Sequence, residues 1–102
     1  MSLTQFTTPT LTLTFSEQGL DLRNATGVYV TFTQGNVKFT KSGTDLTIGE
    51  KSIGVHLSQE DSGKFHKGDM KVMANWLDAG ERMASKAVVI DVDDNLLDEV
   101  IT

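Results

Sequence analysis

"VYVTFT" occupies residues 28–33, and its alternation decides the fold: Val28, Val30 and Phe32 fall on one face of an extended chain, Tyr29, Thr31 and Thr33 on the other. Successive side chains of a strand point to opposite faces, so a period of two rich in β-branched and aromatic residues predicts a half-buried strand. The pattern extends outward in both directions. Upstream, "TLTLTF" sets Leu11, Leu13 and Phe15 against threonines; downstream, Val37 and Phe39, Leu46 and Ile48, then Ile53, Val55 and Leu57 repeat it. "QGN" (34–36), "KSGTD" (41–45) and "GEK" (49–51) separate these segments. Each can supply the positive-φ residue of a tight turn, so three consecutive hairpins are expected.

Two longer candidates follow, "MKVMANWL" (70–77) and "RMASKAVVIDV" (82–92), parted by "DAGE", whose Gly80 marks a turn. Alternation is weaker in the first, where Val72, Ala74 and Trp76 are assigned inward, and stronger in the second, through Val88, Ile90 and Val92. The result is an all-β chain of about seven strands, read as one immunoglobulin-like antiparallel β-sandwich domain over residues 1–102, with Val30, Phe32, Val55, Val72, Trp76 and Ile90 in its core. "DLRNATG" (21–27) is the one long connection; it has room for a helical turn with Leu22 plugging an edge of the core.

"LSQEDSGKF" (57–65) interrupts the strands with the signature of a single helical turn. Ser58 precedes Asp61 by three residues, the spacing of a capping box, and Leu57 and Phe65 are apolar pins on either side. The expected role of Ser58, Asp61 and Phe65 is a structural corner that carries the chain across the sandwich.

Composition narrows the function classes. A net charge of −5, with nine Lys and Arg residues scattered along the chain, offers no basic face for phosphates, so neither nucleic acid nor an anionic membrane is an expected partner. There is no cysteine, so disulfides and thiolate metal sites are ruled out and a reducing cytosol is no obstacle to folding. "MSLTQFTTPT" has neither the basic region nor the apolar run of a secretory signal, and for Ser2 and Leu3 an appended scar is one open reading.

The chemical motifs are near misses. "GNVKFTKS" (35–42) approaches a phosphate-binding loop, but Thr40 stands where a second glycine is needed, and Val37 and Phe39 alternate as in a strand. "DVDDN" (91–95) resembles the start of a calcium loop, but Leu96 replaces the glycine of its sharp turn and Thr102 its bidentate glutamate. His56 and His66 are the only histidines and read as two surface residues, and "NAT" (24–26) matters as a glycosylation acceptor only in a secreted chain. No catalytic, cofactor-binding or metal-ligating residues are assigned, so no enzyme activity and no cofactor is expected. Trp76 is expected in the core and Tyr29, facing outward, as a contact residue.

A strand ending "VHL", the corner "SQEDSGKF", "GDMKVMANWL", then "GERMAS" and a closing "VVIDVDDNLLDEVI" occur in an order that resembles small prophage tail proteins of Gram-positive bacteria, similar to the N-terminal domain of phage baseplate upper proteins. In those proteins a close variant of "LTQEDT" precedes an aromatic, and Gly-x-Arg, here Gly80 and Arg82, precedes the final strand. The resemblance implies a non-enzymatic virion structural module of the tail, baseplate or a fibre. Such a module is made in the host bacterial cytoplasm and works through interfaces with other tail or baseplate proteins and with copies of itself. The alternative class is a carbohydrate-binding or adhesin-like sandwich module, which would need exposed aromatics lining one face.

"DDNLLDEVIT" (93–102) follows the seventh strand. Leu96, Leu97, Val100 and Ile101 would be idle in an isolated monomer. They either pack back on their own domain or form an interface with a neighbour, and Tyr29 joins them as a candidate interface residue.

Overall fold

The computed structural model describes residues 2–102. Along it run β1 (Ser2–Thr4), β2 (Thr10–Thr14), β3 (Thr26–Gln34), β4 (Val37–Ser42), β5 (Leu46–Ile48), β6 (Ser52–His56), the helical turn α1 (Gln59–Gly63), β7 (Gly68–Asp78), β8 (Glu81–Ala84) and β9 (Val88–Asp93). Two sheets form. The large one has the order β1-β9-β7-β3-β4, with β8 also paired to β7, and the small one the order β2-β6-β5. This is an all-β sandwich, as the alternation predicts.

The core lies between the sheets. Leu11, Leu13, Ile53 and Val55 contribute from the small sheet, and Val30, Phe32, Met70, Val72, Ala74, Trp76, Ile90 and Val92 from the large one. All six residues expected in the core are buried. Trp76 meets Phe15 edge-on, with ring centroids 5.7 Å apart. Toward the other end of β7, Phe32 stacks on Phe39 at 5.0 Å and Phe65 leans on both. Leu22, in a 3₁₀ turn over Leu22–Asn24, plugs the core as anticipated.

β7 pairs with β3 along one edge, from Thr33↔Lys71 to Thr26↔Leu77. Its other edge is shared: Gly68–Val72 pair with β9, and Asn75–Asp78 with β8. The single strand expected over 82–92 is therefore two. Between the two registers, two residues of β7 (73–74) face three of the connection (85–87), the one-residue surplus of a bulge. Ser85 bridges the gap, its N–H donating to the Ala74 carbonyl and its Oγ accepting the Ala74 N–H, both at 2.9 Å. Val88, assigned inward, is exposed at this break, whereas Ile90 and Val92 are buried.

Three further expectations are corrected. Ser2 and Leu3 are part of the fold: β1 pairs parallel with β9, Leu3 lies in the core, and the large sheet is not purely antiparallel. "KSGTD" does not close a hairpin. Its 3₁₀ turn, Gly43–Asp45, carries the chain from β4 in the large sheet to β5 in the small one. Finally, among the described residues the strands number nine, because β1 and the division of the last strand add two. The turns at 34–37 and 48–53 do close hairpins, and Ala79 and Gly80, both at positive φ, make the two-residue turn from β7 to β8.

The chain passes between sheets four times, and three of the passages use a helical turn. α1 is the largest of these. Ser58 Oγ accepts from the Asp61 N–H and Asp61 Oδ2 accepts from the Ser58 N–H, both at 3.1 Å, completing the capping box. Asp61 Oδ2 also meets Lys41 Nζ at 2.7 Å, which ties the corner to β4. Ser62, fully buried, donates to the Thr7 carbonyl at 2.7 Å, and Phe65 is sealed in the core.

The corner yields two expectations. Ser58→Ala, which leaves the Asp61 amide without its cap, should cost about 1 kcal/mol in a urea titration. Burial pushes the Asp61 carboxyl up, but the bond from Lys41, the bonds from Ser58 and the charge of Lys41 together hold it below the ordinary carboxylate value. With the native value below the unfolded one, this contribution is present above the unfolded value and is lost as pH falls through the native one. The stability gap between the parent and Asp61→Asn should therefore be widest near neutrality and close on acidification below roughly pH 4.

Candidate interface

The residues after β9 are held through their backbone. The Asn95 side chain donates to the Gln5 carbonyl at 2.9 Å, and Asn95 Oδ1 accepts the Leu97 N–H at 3.1 Å. Six residues beyond Asn95, the Gln59 amide on α1 pairs both backbone groups of Ile101. Its Oε1 accepts the N–H at 2.8 Å and its Nε2 donates to the carbonyl at 3.1 Å. A primary amide presents one donor and one acceptor side by side, so Gln59 does for Ile101 what a neighbouring strand would do.

Pinning the backbone leaves the side chains outward. Leu96 is fully exposed, Ile101 is 67% exposed, and Leu97 and Val100 also face solvent, interleaved with the exposed carboxylates of Asp94, Asp98 and Glu99. Of the two alternatives for this segment, the backbone follows the first and lies on its own domain. The four apolar side chains are left uncovered there.

The second surface is the outer face of the large sheet. Strand parity places Tyr29, Thr31 and Thr33 of β3, Lys38 and Thr40 of β4, Lys71, Met73, Asn75 and Leu77 of β7, Arg82 of β8 and Val89 of β9 on this face. Tyr29 is 48% exposed, Met73 and Leu77 are exposed on the neighbouring β7, and Val89 is exposed farther along the face, opposite Lys71. Two open depressions of about 420 and 490 Å³ adjoin here and share Thr31, Asn75 and Arg82. The Arg82 guanidinium reaches Asn75 Oδ1 at 3.4 Å through both Nε and an Nη, which sets its charge between Leu77 and Met73. Gly27, at a φ of +59°, forms the β3 bulge opposite β7 that brings the chain against the Tyr29 ring.

Met73, Leu77 and Val89 were not singled out by sequence reasoning. Their trace is the weak alternation of "MKVMANWL" and the unbroken "VVI", because apolar residues on both faces of a strand blur a period of two. Trp76 is among the residues lining the first depression, but at 3% exposure it belongs to the core. His56 and His66 are both exposed. His56 Nδ1 meets the Thr10 hydroxyl at 3.0 Å, and the His66 N–H and carbonyl both bond the Gln34 side chain. Among the described residues no group of three or more His, Asp and Glu is placed to hold a metal ion, and no helix is long and apolar enough to cross a membrane.

Comparison of the chain with protein-family models, curated proteins and solved structures finds no match.

With its indole sealed beneath the small sheet and Phe15, Trp76 should resist quenching by iodide. Its emission should also stay blue-shifted when any ligand is added to the outer face. A red-shifted, readily quenched spectrum would place the indole on the surface.

Proposed function

We propose that this chain is a non-enzymatic structural module of a phage virion, belonging to the tail, the baseplate or a fibre, that works through protein–protein interfaces. The observation that carries the reading is the tail. Four apolar side chains within six residues are exposed on a backbone held in place at both ends, an arrangement that lowers the free energy of the protein only when something covers them. The quoted motifs that resemble prophage tail proteins coincide with the corner at α1, the central strand β7, the β7–β8 turn and β9. These are the parts that set the sandwich geometry and launch the tail.

A second reading, a carbohydrate-binding or adhesin-like module, draws on Tyr29 beside Asn75, Arg82 and the Thr31–Thr40 hydroxyl pair on the outer face. A sugar-binding face ordinarily stacks rings on exposed aromatics. Among the described residues Tyr29 is the one aromatic in the exposed class, which makes this the weaker reading.

Removal of residues 95–102 separates a structural tail from an interface. The shortened chain should keep the β-sheet circular dichroism of the parent while its mass by light scattering on a sizing column drops. An intact chain that is monomeric at every concentration, or a shortened chain that unfolds, overturns the reading of the tail as an interface.

A further inference from the structure

We infer that the outer face of the large sheet receives residues 95–101 of a second copy of this chain, so that copies join tail to face. This deepens the proposed function and rests on its reading of the tail as an interface.

Charge points to this pairing. The chain is acidic overall, yet three of its nine basic residues, Lys38, Lys71 and Arg82, stand on this one face. Among the described residues none of the three forms an ion pair, whereas Arg23 and Lys41 are engaged with Asp21 and Asp61. The tail segment carries the complement in Asp98 and Glu99. The carboxylates on the face itself, Asp69 of β7 and Asp91 and Asp93 of β9, gather at the opposite end of β7 from Arg82.

Spacing agrees with charge. Along β7 the face reads apolar, basic, apolar: Leu77, then Arg82 held against Asn75, then Met73. An extended tail reads apolar, acidic, apolar on either side, as Leu96, Asp98, Val100 or as Leu97, Glu99, Ile101. In both the apolar pair is separated by four residues, about 13 Å at the rise of a strand. Tyr29 and Val89 extend the apolar border of the face. Among the described residues Ile101 is hydrogen-bonded to its own corner through the two Gln59 bonds, both exposed, so releasing them lets the segment lie along a neighbour.

A copy's tail and its own receiving face occupy different surfaces. The tail is clipped to α1, which joins β4 through Lys41 on the inner side, while the face is on the outer side. The contact is therefore heterologous, and repetition of it builds a ring or an open filament and not a two-fold dimer.

The test uses two full-length variants with changes at exposed positions. Arg82→Glu with Lys71→Glu spoils the face and leaves the tail intact; Leu96→Asp with Leu97→Asp spoils the tail and leaves the face intact. Each alone should lose self-association, with the dissociation constant raised about tenfold or more. Mixed together they should form a 1:1 dimer and nothing larger, weakened by added salt. If the parent assembles but the face variant assembles equally well, or the mixture stays monomeric, the tail docks elsewhere and this inference falls while the assembly role stands. A parent that never assembles overturns both. A face variant that assembles like the parent but loses binding to a bacterial surface polysaccharide hands the face to sugar and overturns this inference alone.

Discussion

The fold depends on β7 having partners on both edges through its central stretch. A buried strand cannot leave its N–H and C=O groups without partners, and eleven residues require more pairing than one neighbour on each side provides here. β3 covers one edge from Lys71 to Leu77, and β8 and β9 divide the other. Their junction is the point of greatest risk, and Ser85 resolves it by presenting both its backbone and its hydroxyl to Ala74. The bulges at Gly27 and at 85–87 flank this half of β7 on both sides, and bulges increase local twist. The shaped outer face around Asn75 and Arg82 is thus a by-product of satisfying the central strand.

Side-chain amides extend the same economy of pairing to regions without strands. Gln34 bonds both the N–H and the carbonyl of His66, Gln59 does the same for Ile101, and Asn95 bonds the backbone of Gln5. Each joins segments that no sheet reaches: the loop before β7, the tail, and the link between β1 and β2. These clips bind backbone, so they specify where a segment runs without burying its side chains. The tail owes its exposed leucines to that distinction.

Much of the sandwich was legible because its strands alternate cleanly. Leu11 and Leu13, Val30 and Phe32, Ile53 and Val55 each declare a buried face by themselves. The Ser58–Asp61 spacing likewise announced the corner, and Leu22 its plug. What escaped is non-local. β1 holds one apolar residue in three, and its partner β9 is nearly ninety residues away, so nothing near Leu3 signals a strand. "KSGTD" and "QGN" have similar turn chemistry, and only the sheet in which the next strand finds its partner separates a crossing from a hairpin. A one-residue surplus at 85–87 leaves no mark on the pattern. For the interface, the apolar excess of the tail was readable, but its anchors were not, because a glutamine amide can pair with almost any backbone. The outer face appeared only as blurred alternation in β7 and β9.

The parallel pairing of β1 with β9 also has a consequence for the order of events during folding. Ser2–Thr4 find their partners only at Asp91–Asp93, a closure that encloses almost every residue in between and so carries the largest loop entropy in the molecule. During synthesis the first strand must wait, unpaired, until the ninth has emerged. The Gln5 bonds to Asp93 and Asn95 sit directly beyond that closure and join the same two ends of the chain. The Asn95 clip at the root of the tail lies at this same junction of the two chain ends, whereas the far end of the tail is held separately by Gln59 on the corner.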